Sequence, residues 1–287
     1  MTNYDLKCLS LDGGGIKGYV QGVVLKAIPK IQYDYIAGVS AGAINACLMS
    51  VGFSPDDIME FYSGDEGKKI FSKYFLDIPF THRSKYDSKN INDVLLNKLN
   101  GFKLKDVKNN LIITSYDIHK RKVNTFTNLN KDQEDFYLRD IARNSSAAPY
   151  YFEPNINGEK IFIDGGLAAN NPSHRLYSII HKKCNNPLIV SIGTGTFKHP
   201  LKLEDMCYTA GINFVENLLD CFMDANSDLV DEVMKDLMGS NYVRFQPNLT
   251  EATSSLDNSS DKNIEALEEI VKEYLINDCA EKLALLK

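Results

Sequence analysis

The sequence repeats a unit in which an apolar run passes through a short turn of small residues directly into a helix-like segment. DGGGIKG (12–18) follows the alternating run 4–11 and precedes apolar residues at helical spacing. GVSAG (38–42) ends the run that begins at residue 33 and leads into AGAINACLMSV. Strands that alternate with helices in this way are typical of a layered domain with a mostly parallel sheet. We therefore expect an α/β fold.

The same patterns extend over the chain of 287 residues. Further strands are expected at 111–118, 123–127, 160–166 and 187–196, with helices at 54–62, 88–100 and from 135 to Pro149. Beyond Pro200 the pattern predicts helices at 204–223 and 226–239, a short strand at 242–246 and a last helix from about 262. Because no linker or internal repeat interrupts it, we expect one domain (1–287), with core motifs in 5–196 and a helical part in 200–287.

Composition excludes several classes of protein. A net charge of −6 argues against a nucleic-acid-binding protein that uses its whole surface, and no apolar stretch is long enough to span a membrane. The N-terminus lacks the basic region and apolar core of a signal peptide, so we expect a cytoplasmic protein. The six cysteines show no CxxC pair or zinc-ligand spacing, which predicts free thiols and no metal site.

The glycine loop has two interpretations. Gly13, Gly15 and Gly18 fit GxGxxG between a strand and a helix, which is typical of a dinucleotide-binding oxidoreductase. That fold also needs an acidic residue at the far end of the second strand, but Asp34 opens this strand instead. Tyr19 follows Gly18, so the GK[ST] of a P-loop is missing. The dinucleotide-binding oxidoreductase therefore remains an alternative. The second interpretation is that the loop forms the oxyanion hole of a hydrolase.

GVSAG fits the nucleophile elbow GxSxG, in which a serine lies on a sharp turn between a strand and a helix. Gly38 and Gly42 supply the small residues that this turn requires, so Ser40 is the candidate nucleophile. A serine needs a base. The five histidines do not follow strands in a catalytic-looking turn: His82, His119, His174, His181 and His199. Asp164, by contrast, follows a strand in such a turn (FIDGG), which makes it the candidate base.

The three motifs together resemble the patatin-like phospholipase family, whose signature is a DGGGxRG loop, a GxSxG elbow and a DGG or DGA turn. Similar stretches are SSAAPYYF (145–152), GLAANNP (166–172) and SIGTGT (191–196), and Lys17 stands where the family usually has arginine. The resemblance implies a three-layer α/β/α lipid acyl hydrolase that acts through Ser40 and Asp164 without histidine, metal or cofactor. It places the oxyanion hole at Gly13, Gly14, Gly15 and Ala41. Supporting motif residues are Asp12, Lys17, Gly18, Gly38, Gly42, Gly165 and Gly166.

A basic, aromatic stretch is the candidate for contact with a membrane. Its residues are Lys68, Lys69, Phe71, Lys73, Tyr74 and Phe75. Aromatics among basic residues suit an anionic lipid surface, although a loop packed by its own aromatics explains the pattern equally well. The expected partners are a membrane glycerolipid substrate and a peripheral membrane surface. The sequence leaves open an activating protein or small nucleotide, the oligomeric state, the lipid headgroup, and a non-catalytic storage protein of the same fold.

Overall fold

A central sheet of eight strands runs through the computed structural model, which describes residues 4–72, 84–197, 212–250, 252 and 255–286. The strands are β1 (Leu6–Leu11), β2 (Tyr35–Val39), β3 (Asn110–Asp117), β4 (Lys122–Thr127), β5 (Asn155–Asn157), β6 (Lys160–Asp164), β7 (Pro187–Ile192) and β8 (Tyr242–Phe245). The helices are α1 (Gly18–Ala27), α2 (Ala41–Ser50), α3 (Pro55–Ser63), α4 (Asp65–Ile70), α5 (Ser88–Leu99), α6 (Leu138–Ser145), α7 (Gly166–Ala169), α8 (Ser173–Ile180), α9 (Ile212–Met238), α10 (Asp261–Asn277) and α11 (Ala280–Leu285).

The sheet order is β5-β6-β3-β2-β1-β7-β8, and β4 also pairs with β3. The five strands from β3 to β8 along this order are parallel, whereas β4, β5 and β6 are antiparallel additions at one side. All residues of β2 and β7 are buried, as expected for parallel strands covered by helices on both faces. The predicted α/β fold with a mostly parallel sheet is confirmed.

Helices cover both faces of the sheet. Leu9 and Leu11 of β1 belong to a large core shared with α1, α2 and α3, while Cys8 belongs to a smaller core with side chains of α8 and α9. Successive residues of a strand point to opposite faces, so this division places one helical layer on each side. The chain therefore has the three-layer α/β/α arrangement that the resemblance implied.

The C-terminal third is helical but also contributes to the sheet. Strand β8 pairs in parallel with β7, in agreement with the short strand predicted at 242–246. One helix, α9, covers 212–238, so the prediction of two separate helices is wrong there. Residues 224–227 (DANS) contain neither glycine nor proline, so nothing in the backbone chemistry interrupts this helix. The rest of the expected helix, 204–211, lies outside the described residues.

Helix α6 ends at Ser145, earlier than the predicted end at Pro149. The chain leaves the helix there because Ser145, Ala147 and their neighbours bond to the sheet, as described below. None of the described helices combines the length and the apolar character needed to cross a membrane.

Candidate active site

Ser40 occupies a strained turn between β2 and α2. Its backbone has φ 54° and ψ −123°, a region that residues other than glycine rarely adopt. A Cβ on Gly38 would lie 2.3 Å from the Gly42 carbonyl oxygen, and one on Gly42 would lie 2.1 Å from the Leu11 carbonyl oxygen. Both positions must therefore be glycine for the turn to close against β1. The geometry is that of a nucleophile elbow.

Asp164 reaches Ser40 through the register of the sheet. Val39 pairs with Thr114 on β3, and the next residue of β3, Ser115, pairs with Asp164 at the end of β6. Ser40 Oγ donates a hydrogen bond of 2.6 Å to Asp164 Oδ2. The sequence placed Asp164 at a strand end but did not show that β6 runs antiparallel to β3. The two side chains are brought together by this antiparallel pairing.

The Asp164 carboxyl group is completely buried, and this burial raises its pKa to about 6. Three interactions oppose the shift because they stabilise the carboxylate: the Ser40 hydroxyl, the Gly166 N–H that donates to Oδ1 at 2.7 Å, and the charge of Arg143. A carboxylate with a pKa near 6 is a stronger base than an ordinary aspartate and is still ionised at neutral pH.

The described histidines lie elsewhere. His174 and His181 belong to or directly follow α8, where their Nδ1 atoms contact the carbonyl oxygens of Asn171 and Tyr177. His119 follows β3, and its backbone N–H donates to Asp117. His82 and His199 fall outside the described residues. Within the described ranges, no group of three or more His, Cys, Asp or Glu side chains is arranged to hold a metal ion.

Residues 145–148 connect the elbow to the base. The Ser40 N–H donates to Ser145 Oγ at 2.9 Å, and this hydroxyl donates in turn to the Thr114 carbonyl oxygen at 2.6 Å. The Asp164 N–H donates to the Ala147 carbonyl oxygen at 3.0 Å. Ser145 and Ala147 therefore fix both chain segments that carry the candidate catalytic groups. Sequence reasoning noted SSAAP only as a resemblance and assigned it no role.

The glycine loop faces the elbow closely. A Cβ on Gly13 would lie 2.3 Å from Asn170 Oδ1 and 2.9 Å from Ser40 Cβ, so only glycine fits at this position. Gly15 adopts φ 58° and begins a short 3₁₀ turn (Gly15–Lys17) that leads into α1. Gly18 is the first residue of that helix, and a Cβ there would meet the Tyr62 ring. The close approach of Ser40 and Asn170 explains why the loop begins with glycines.

The loop amides differ in their hydrogen bonding. The Gly13 N–H donates to the Asn170 carbonyl oxygen at 3.1 Å, so it is occupied. This differs from the prediction that included Gly13 among the oxyanion donors. The N–H groups of Gly14, Gly15 and Ala41 donate to no atom of the described residues. Gly15 and Ala41 line the pocket beside Ser40, and Gly14 directly precedes Gly15 in the loop, so the amides of Gly14, Gly15 and Ala41 are the candidate donors.

The pocket beside Ser40 is apolar and has a volume of about 530 Å³ including its mouth. Its walls come from α2, α3, α4, α5, the segment 146–152, α9 and the loop before α10; they include Ile44, Phe61, Ile70, Ile91, Phe152, Met223 and Leu256. Such a lining excludes water and suits a hydrocarbon chain. Among the lining residues that the structure describes, Met223 and Leu256 alone come from the C-terminal third.

Lys17 is buried beside α9 and not at the pocket. Burial lowers the pKa of its amine, while Asp220 and Asp224 of α9 act in the opposite direction. Its Nζ atom lies 5.0 Å from the centre of the Phe197 ring. Lys17 therefore connects the glycine loop to α9.

The residues predicted to contact a membrane have mixed surroundings. Lys68 pairs with Asp261 at 2.7 Å and Lys69 with Asp93 at 3.4 Å, with each lysine side chain about half exposed. Phe71 lines the pocket and its ring packs against Tyr86 and Phe152. Packing by aromatics therefore accounts for Phe71, whereas Lys73, Tyr74 and Phe75 lie outside the described residues.

Comparison with known proteins identifies the family. The family model described as patatin-like phospholipase matches residues 9–177, more than half of the chain. The chain belongs to the patatin-like phospholipase family. Patatin-like protein 2 of Arabidopsis thaliana is 28% identical, over 93% of this chain and 82% of that protein. Patatin-16 of Solanum tuberosum is 27% identical, over 93% of this chain and 83% of that protein.

A solved structure supports the fold. VipD from Legionella pneumophila matches 94% of this chain and 67% of its own chain with a TM-score of 0.52 and 14% sequence identity. At this identity the similarity concerns the fold alone. It extends beyond the segment that the family model matches and includes the helical C-terminal region of this patatin-like protein.

Proposed function

We propose that this protein is a lipid acyl hydrolase of the phospholipase A or lysophospholipase type, which cleaves fatty-acyl esters of membrane glycerolipids with Ser40 as nucleophile and Asp164 as base. The hydrogen bond of 2.6 Å between Ser40 Oγ and Asp164 Oδ2, at the wall of an apolar pocket, carries this proposal. Membership of the patatin-like phospholipase family supports the substrate class.

In the first half of the reaction, Asp164 accepts the Ser40 proton while Oγ attacks the ester carbonyl carbon. The carbonyl oxygen becomes an oxyanion, which the amides of Gly14, Gly15 and Ala41 receive. The bond to the glycerol oxygen then breaks, Asp164 returns the proton to this leaving oxygen, and an acyl-serine remains. The N-terminus of α2 adds its partial positive charge beside the oxyanion.

In the second half, a water molecule gives a proton to Asp164 and its oxygen attacks the acyl-serine carbonyl. The second tetrahedral intermediate collapses by breaking the bond to Ser40 Oγ, which regains the proton from Asp164. The fatty acid leaves. The pocket holds the acyl chain during both steps and limits the access of other water.

A fluorophosphonate probe tests the nucleophile. The intact protein should become covalently labelled at Ser40, and Ser40→Ala should not be labelled. The same variant should hydrolyse lipid about 10⁵-fold or more slowly. Ser178→Ala is the matched control, because Ser178 lies exposed on α8 and bonds only within that helix. Labelling that persists in Ser40→Ala would reject this nucleophile.

The proposed substrate class requires contact with a lipid surface, and the half-exposed side chains of Lys68 and Lys69 suit an anionic one. We infer that the protein acts peripherally at membranes from the cytoplasm.

A further inference from the structure

Asp12, the first residue of the glycine loop, is held by an arginine from the distant end of the chain. Arg244 on β8 donates from one terminal nitrogen to Asp12 Oδ1 at 2.9 Å and from the other to Oδ2 at 2.6 Å. The two side chains are 6% and 1% exposed. This bidentate contact fixes the carboxylate in a plane, which a single hydrogen bond does not do.

Two serines complete the arrangement. Ser227 of α9 donates to Asp12 Oδ2 at 3.1 Å, and Ser191 of β7 accepts from Arg244 at 2.8 Å. Burial disfavours the charge on Arg244, but Asp12 outweighs this effect and raises the pKa of the guanidinium above its ordinary value. A buried ion pair adds little net stability, because desolvation offsets the attraction. Its clearest effect is a fixed geometry.

The backbone that follows Asp12 is equally restrained. The Asp12 N–H donates to the Ile192 carbonyl oxygen at 3.1 Å, and the Asp12 carbonyl oxygen accepts from Gln21 at 2.8 Å. The Gly13 carbonyl oxygen accepts from Thr194 Oγ1 at 2.8 Å and from Asn170 Nδ2 at 3.2 Å. The peptide unit that carries the Gly14 N–H begins at this carbonyl group, so its orientation is set by these bonds.

Helix α9 supports both loops of the site through two consecutive residues. Ser227 contacts Asp12, whereas Asn226 accepts from the Asn170 N–H at 2.6 Å and donates to the Gly166 carbonyl oxygen at 3.1 Å. Gly166 is the residue whose N–H binds Asp164. The C-terminal third therefore contacts the loop of the candidate oxyanion donors and the loop of the candidate base.

We propose that Arg244 is a positioning residue: through Asp12 it aims the Gly14 and Gly15 amides at the oxyanion. The inference rests on the proposed function, since it assumes that Ser40 attacks an ester. Arg244 also compensates the Asp12 carboxylate, which would otherwise oppose a second negative charge nearby. Arg244 neither lines the pocket nor contacts the dyad, and its bidentate contact with the glycine loop is made through Asp12.

Arg244→Lys and Asp12→Asn test this role in the full chain. Lysine keeps the charge but loses the planar pair of donors, and asparagine keeps the shape but loses the charge. We expect kcat for a long-chain ester to fall about 10- to 100-fold, because a loop displaced by a fraction of an ångström misaligns its donors. KM should stay within about twofold, since Asp12 does not line the acyl pocket. Arg175→Lys, on α8, is the matched control with an expected rate close to that of the unaltered protein.

A pair of inhibitors separates positioning from loose packing. A long-chain trifluoromethyl ketone forms an anionic hemiketal with Ser40, whereas an ether of the same length only fills the pocket. Both variants should bind the ketone less tightly by the factor that they lose in kcat, and should bind the ether normally. Equal losses for both inhibitors, or a folded Arg244→Lys with unchanged kcat and ketone affinity, would overturn the inference.

Ser227→Ala serves where Arg244→Lys does not fold, because it removes one hydrogen bond from Asp12 and no charge. A loss of about two- to fivefold in kcat and in ketone affinity supports the proposal, and an unchanged rate overturns it. If the unaltered protein forms no hemiketal at Ser40, the proposed function itself fails. If the unaltered protein forms the hemiketal and the variants bind the ketone equally well, only the positioning role of Arg244 is rejected.

Discussion

The two parts of this chain contribute different things to the candidate site. The part matched by the family model, residues 9–177, supplies Ser40, Asp164 and the free amides of the glycine loop. The part from 212 onward supplies one wall of the pocket and the contacts that hold Asp12, Asn170 and Gly166. The reacting groups thus come from the first part, whereas the second part adds supporting groups from the other end of the sequence. Substitutions in the first part should change the chemical step most, and those in the second part should change binding or alignment.

Asp164→Asn should produce the largest effect after removal of Ser40. Asparagine keeps the size of the side chain but does not accept the Ser40 proton, so kcat should fall about 10⁴-fold. The rate of fluorophosphonate labelling measures the loss directly. Asp140→Asn is a suitable control, because Asp140 is also a partly buried acid with a raised pKa but pairs with Arg139 on α6. A folded Asp164→Asn variant that keeps more than a tenth of the activity would contradict the role of a base.

The pH profile should show the same carboxyl group. Asp164 must be ionised to accept a proton, and burial raises its pKa to about 6. kcat/KM should therefore be level above that pH and fall about tenfold per unit below it. The pKa of Asp164 in the folded protein exceeds its ordinary value of 3.8, so Asp164 contributes stability at low pH that is lost as the pH rises through about 6. A limb that disappears when His174 is replaced would indicate a histidine base instead.

The difference between the two parts also explains what the sequence predicts. Gly38, Gly42 and Gly13 are recognisable because any side chain there would collide with backbone or with Asn170 and Ser40. Such steric requirements leave short, dense motifs. They predicted correctly the strand, the sharp turn at Ser40 and the helix that follows it, together with the mostly parallel sheet.

The supporting contacts leave no such pattern. Ser227 and Asn226 lie in an ordinary amphipathic helix, and Arg244 alternates with apolar residues in a short strand, so only the tertiary structure shows their partners. The occupied amide of Gly13 was missed for the same reason, since it depends on the Asn170 carbonyl oxygen 157 positions away. The antiparallel direction of β6 is likewise a property of the sheet and not of the motif.

The pocket wall offers a test of the second part that involves no catalytic group. Met223→Ala removes a buried side chain of α9 from the lining, so a long acyl chain loses apolar contact. With a loss of about 1–1.5 kcal/mol, KM for long-chain esters should rise about tenfold while kcat changes little. Short-chain esters should show no such rise. Leu229→Ala is the control, because Leu229 is an exposed residue of the same helix. If Met223→Ala lowered kcat as much as Arg244→Lys, the pocket wall and the aligning contacts would not have separate roles.

The smallest effect is expected at the surface, where α4 meets α5 and α10. Lys68 pairs with Asp261 and Lys69 with Asp93. The neighbouring carboxylate weakens the attraction of each lysine to an anionic lipid surface. A double variant, Lys68→Ala with Lys69→Ala, should bind anionic vesicles about three- to tenfold less tightly and hydrolyse a soluble ester at the normal rate. Lys103→Ala with Lys105→Ala is the matched control, because it also removes two positive charges from ion-paired lysines, here both paired with Asp135. An equal loss in both double variants would assign the effect to net charge, and unchanged vesicle binding by the first would place the membrane contact elsewhere.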